Sequence, residues 1–175
     1  MPYSIFDASI IPAKNSLESL KNILQKAESS GNATELLAAQ IHPDMLGLSF
    51  QVHMITNTCQ QVFARLSGTE PKSYEDNLKT FADYYARISE VQAIVAQADR
   101  ATIESRVDST VTIGFGPGKS ADLPAVGYVN GYVMPNLFFH LTTVYNIFRK
   151  EGVSLGKRDY VTPYMSEYVD LSKFA

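Results

Sequence analysis

The sequence predicts a mainly α chain, an up-down four-helix bundle with a short β-hairpin between the third and fourth long helices. Three observations carry this prediction. Apolar residues recur at three- and four-residue spacing in four separate stretches. Capping and stop residues flank those stretches, as they do at helix ends. One stretch alone alternates β-branched residues and then runs into a Gly-Pro turn. The chain has 175 residues, 45% hydrophobic and 19% charged, a length and mix that suit one packed domain over residues 1–175.

The first helix is expected over residues 16–29, capped by Ser16, with Leu17, Leu20, Ile23 and Leu24 on one face. Ser29, Ser30, Gly31 and Asn32 end it, and a short helical turn follows over 34–39. After His42 and Pro43, Asp44 is expected to cap a second helix reaching Leu66. Met45, Leu48, Val52, Ile55, Cys59, Val62 and Leu66 form its seam, and Gly68 stops it. The third helix is expected from Ser73 or Asp76 to about Ala98, burying Leu78, Phe81, Tyr85, Ile88 and Val95. Residues 109–113 read as a strand, with a return strand over 123–128 beyond the glycines. The fourth helix is expected from Pro135 to Lys150, burying Val133, Leu137, Leu141, Val144 and Phe148, and Gly152 closes it. Tyr160, Tyr164, Tyr168 and Phe174 predict that the tail packs on the bundle.

Charge and cysteine usage exclude several functions. Fifteen basic against 18 acidic residues give a net charge of -3, with no basic run to track a phosphate backbone, so nucleic acid is not expected as a partner. Cys59 is the single cysteine, which rules out an intrachain disulfide or a thiolate zinc site and suits a reducing, cytoplasmic setting. Its place in an apolar stripe marks it as a packed thiol rather than a nucleophile. No basic leader and no run of eighteen apolar residues is visible, so neither export nor membrane spanning is expected.

The string from Gly114 to Ser120 ends in the Gly-Lys-Ser of a phosphate-binding loop. The motif's first glycine would stand at Ile113, and Pro124 blocks the helix that would receive the phosphate, so a hairpin turn is expected there and no cofactor is implied. Among the histidines, His42 and His53 would lie about 16 Å apart on an unbroken helix, too far to share an ion. His140 has Asn136 and Val144 four residues to either side, so a helical ligand pair is missing and a metal would need partners such as Asp44, Gln51 or Asp76 from other helices. The competing reading is a half-buried histidine hydrogen-bonded to Gln51 or an acid. Asn136, His140, Thr143 and Tyr145 place polar groups on a helix otherwise rich in Leu and Phe, which points to a small polar pocket with His140 as acid or base.

Three segments carry a family resemblance. They are the run from His42 through Pro43 and Asp44 to Gln51, the run Glu75 to Ala82 with Ala86, Arg87 and Ile88, and the run Met134 to Tyr145 leading into Gly152 to Tyr160. Over most of the chain from His42 to Tyr160, the sequence resembles an uncharacterised domain-of-unknown-function family of fungi and bacteria, related to the DinB-like metalloenzyme bundles. The resemblance implies a DinB-like bundle and no established activity. Members of the wider group typically hold a divalent metal on three histidines from different helices, often form homodimers, and include thiol-dependent transferases and isomerases. His140 matches a ligand position, whereas Gln51 stands where another ligand is expected. Lys157 or Arg158 is expected to pair with Asp76 or Asp44.

The leading expectation is therefore a protein that binds or converts a small molecule around His140, Gln51, Asp44, Asp76, Asn136, Thr143 and Tyr145. Its rivals are a non-enzymatic, dimerising binding module with no open site and a DinB-like divalent-metal enzyme.

Overall fold

The computed structural model describes residues 3–114 and 116–171, so Phe115 of the glycine-rich string and Phe174 of the tail lie outside the described residues. Four long helices carry the fold: α1 (Ile5–Glu28), α3 (Leu48–Ser67), α4 (Phe81–Val95) and α7 (Met134–Lys150). Short helices α2 (Ala33–Leu36), α5 (Arg100–Glu104) and α6 (Ala125–Gly127) lie in the connections, and α8 (Lys157–Ser166) closes the chain. Helices α1 and α3 pack on each other and each also packs on α4 and α7. Their shared core includes Leu17, Leu20, Leu24, Val52, Ile55, Val62, Leu141 and Phe148, all fully buried.

The first helix begins eleven residues before the expected start. Ser4 and Asp7 form a reciprocal capping box, with the Ser4 N–H donating to Asp7 Oδ2 at 3.0 Å. Arg100 from α5 pairs with Asp7 at 2.6 Å, and its guanidinium beside Asp7 lowers that carboxyl to about 2. Ser16 is no cap. It lies fully buried inside α1, hydrogen-bonded to Tyr164 Oη at 2.6 Å, while Ser19 donates to the Tyr160 carbonyl at 2.9 Å. These two hydroxyls seat α8 on α1, so the tail packs as its tyrosines predict, although Tyr168 is 73% exposed. Asp159 caps the Gly156 N–H at 2.8 Å and pairs with Lys26, a different acid and base from those expected.

Two other boundaries shift. Helix α3 starts at Leu48, behind Gly47, because Asp44 turns its carboxylate to the His42 ring instead of capping a helix. Helix α4 starts at Phe81, since Thr80 and Asp83 form the capping box and residues 69–80 run as an irregular strap. That strap is pinned to α3 by Gln60, whose amide donates to the Lys72 carbonyl and accepts from the Lys72 N–H. Ser49 Oγ holds the Leu78 carbonyl at 2.6 Å, which lets Leu78 reach the core from a loop.

Strands β1 (Thr110–Gly114) and β2 (Ser120–Pro124) pair antiparallel, Thr112 opposite Asp122. Gly116 and Gly118 both take positive φ at the turn. The Gly-Lys-Ser string thus feeds a strand, not a phosphate-binding helix. The return strand stops at Pro124, and residues 125–128 are helical instead of extended. Next comes a π-helix, Tyr128–Val133, leading directly into α7. Pro135 has no N–H to give the Gly131 carbonyl, so a regular α ladder cannot run back through this segment, and a wider turn takes its place. Asn136 Nδ2 then covers the Tyr132 carbonyl at 2.6 Å.

Candidate functional site

Helices α3 and α7 pack on each other, and the buried polar residues of the two helices include Gln51 on α3 and His140 on α7. The two meet. His140 Nδ1 lies 2.7 Å from Gln51 Oε1, with 8% of the histidine and 3% of the glutamine exposed. Gln51 Nε2 donates to the Leu46 carbonyl at 2.8 Å. A carbonyl can only accept, so the Gln51 amide has one workable orientation and its oxygen faces the histidine. Nδ1 of His140 must therefore carry the hydrogen, and in the neutral ring Nε2 is left with a bare lone pair. Burial pushes the His140 pKa below its ordinary value, which keeps the ring neutral near pH 7.

Aromatic rings flank this imidazole. Phe50 and Phe139 both meet it edge to face, with centroids 6.0 and 5.3 Å away. Phe139 is 58% exposed, and Leu46 beside the pair is 59% exposed. Sequence reasoning passes over both phenylalanines, although each is the immediate chain neighbour of a chosen polar residue. That adjacency is the available signal, because a ring next in chain to a seam residue sits at the seam's edge.

The remaining expected site residues are placed elsewhere. Asp44 is exposed and bound to His42, and Asp76 is exposed on the strap before α4. Asn136 is committed to the π-helix carbonyl, and Thr143 Oγ1 donates to the Phe139 carbonyl one turn back at 2.8 Å. Tyr145 packs edge to face on Tyr160 of α8. Among these residues, only His140 and Gln51 are joined by a direct contact.

A metal fits this arrangement poorly. His53 sits two residues from Gln51 on α3, hence on another face, where burial lowers its pKa, Asp76 opposes that shift and Arg87 adds to it. His42 stands on an exposed loop. Among the described residues no three His, Cys, Asp or Glu side chains converge as a metal ion requires. Cys59 is fully buried, with its thiol 3.6 Å from the Ala13 carbonyl, and burial pushes its pKa far up, so it supplies no nucleophile.

Residues 5–161 match the family described as Domain of unknown function (DUF1993). The chain belongs to that family. Its bundle superposes on the crystal structure of a DinB family member protein from Shewanella denitrificans with a TM-score of 0.79, at 28% identity over 89% of this chain and 90% of that one. The DUF1993 chain thus has a DinB-like fold with its long helices interrupted by one small hairpin. No curated protein matches it. Among the described residues no helix is long and apolar enough to cross a membrane.

Both buried histidines make stability depend on pH. Their folded pKa values lie below the ordinary 6.5, so between the two values the unfolded chain binds more protons and stability rises with pH. Urea midpoints are expected to fall as pH drops from about 7.5 to about 5.5. The fall should be smaller in His140→Phe, and equal slopes in variant and parent would show that His140 contributes nothing.

Proposed function

We propose that this DUF1993 protein binds a small molecule at the Nε2 edge of His140, taking a polar hydrogen of the ligand onto that lone pair while Phe50 and Phe139 flank an apolar ring or chain. The hydrogen-bond chain from Leu46 through Gln51 to His140 carries the reading. It fixes one tautomer and leaves one ring nitrogen ready to accept. With a sufficiently acidic ligand the same nitrogen acts as a general base, and Gln51 holds the ring in place as the charge develops. Phenol is a suitable probe, having an O–H donor on an apolar ring. In long-range proton–nitrogen spectra, His140 Nδ1 should appear protonated and Nε2 bare, and adding phenol should shift Nε2 saturably. An Nε2 resonance that stays fixed at saturating phenol would sink the proposal.

One observation favours a second reading. His140 is 8% exposed, and surface clefts of about 400 and 610 Å³ are lined by other residues. Under this reading the His140–Gln51 bond is a lock between α3 and α7 in a non-enzymatic, dimerising module. The same spectra separate the two: a lock predicts the fixed tautomer without any response to phenol.

A further inference from the structure

A cleft of about 400 Å³ opens where the end of α3 meets the end of α5 and the first strand of the hairpin. It is lined by Arg65 and Arg106 together with Thr69, Thr110 and Thr112. Neither arginine is in an ion pair among the described residues. Arg65 is held by Tyr128, lying 5.5 Å over its ring and donating to its hydroxyl at 3.4 Å. The Nε–H of Arg106 is buried and has no acceptor, a rare state for so strong a donor.

The seat of Arg106 is built into the backbone. Gly68 ends α3 in the left-handed region at φ 75°, and a Cβ there would come within 2.7 Å of Arg106 Cζ and 2.8 Å of its Nη1. The guanidinium thus lies flat against a residue that has no side chain. Capping α3 does not account for it, because the carbonyls of Ala64 and Arg65 already accept from the N–H groups of Gly68 and Thr69. The hydroxyl of Thr110 likewise makes no hydrogen bond among the described residues, whereas Thr69 Oγ1 donates to Ala64 and Thr112 Oγ1 to Asp122.

We propose that this cleft binds the phosphate group of a phosphorylated small molecule. The two terminal Nη groups of Arg106 form the fork that grips two phosphate oxygens, Arg65 supplies the second positive charge, and Thr110 offers a hydroxyl donor to a third oxygen. A carboxylate presents two oxygens in one plane, whereas a phosphate dianion presents three around a tetrahedral centre and carries twice the charge, so two guanidinium groups and a hydroxyl suit the phosphate better. Glu70 is the one acid lining the cleft; exposed on the rim, it weakens the site without closing it. This site shares no residue with the His140 site and stands whether or not that one binds a ligand.

Inorganic phosphate titrated into the nitrogen-labelled full chain tests the assignment, with sodium chloride of matched ionic strength as control. The Arg106 Nε–Hε resonance is expected to move saturably with phosphate and not with chloride. Arg106→Lys keeps the charge but loses the fork, and should weaken phosphate binding about tenfold or more, while Glu70→Gln should tighten it. If the lysine variant misfolds, Thr110→Val carries the test and should also weaken binding. An Arg106 resonance that ignores phosphate, or that answers chloride equally, overturns the proposal, as does a lysine variant that is folded and binds phosphate unchanged.

Discussion

Replacing Gln51 with leucine is expected to cost about 1–3 kcal/mol of unfolding free energy, although the two side chains are close in size. The loss arises from the partners left behind. The Nδ1–H of His140 would remain buried with no acceptor, and the Leu46 carbonyl would lose its donor. Replacing both partners should recover most of the loss, because Gln51→Leu with His140→Phe removes the need for the bond instead of breaking it. Urea unfolding of the four proteins closes the cycle. A Gln51→Leu protein as stable as the parent would mean that water satisfies the histidine, and the ring would then have no fixed tautomer.

The largest single loss is expected at Phe148. It is fully buried, and Phe148→Ala should cost about 3–5 kcal/mol and lower Tm by roughly 10 °C. Phe139, nine residues earlier on the same helix, gives the contrast. It is 58% exposed, so its alanine variant should stay within about 0.5 kcal/mol of the parent while losing the response of His140 to phenol. Melting curves of the two variants side by side check the first half, and a comparable fall in both would contradict the placement of these rings.

The bundle is legible in the sequence where one periodic face decides the structure alone. Helix α7 satisfies this condition, its buried Leu137, Leu141, Val144 and Phe148 recurring at helical spacing, and its observed bounds differ from the expected ones by one residue. The start of α1 is hidden because Pro12 interrupts the pattern, yet the helix runs through it, with Ile5, Phe6 and Ile10 buried by other elements. Propensity yields to packing there. The strap before α4 misleads in the opposite sense. Leu78 has the spacing of a helix residue, but Ser49 and Gln60 hold the strap in another conformation through its carbonyls, contacts that sequence spacing cannot reveal. At the candidate site, the meeting of Gln51 and His140 is legible because each is a polar residue at helical spacing from the apolar residues of its helix. The tautomer is not, since it depends on a third group, the Leu46 carbonyl. Arg65 and Arg106 are invisible to sequence reading because 41 positions separate them and no motif joins them.

The π-helix ahead of α7 has a consequence for reading relatives of this chain. Such a turn holds one residue more than an α turn, so a relative whose chain runs here as an uninterrupted α-helix should differ by a one-residue gap close to Tyr128–Val133. A helical wheel drawn straight from Tyr128 to Lys150 would be turned by about 100° on one side of that gap, assigning core residues to solvent. Alignments of the fourth long helix are therefore best anchored downstream of Pro135, where the register that carries His140 is regular.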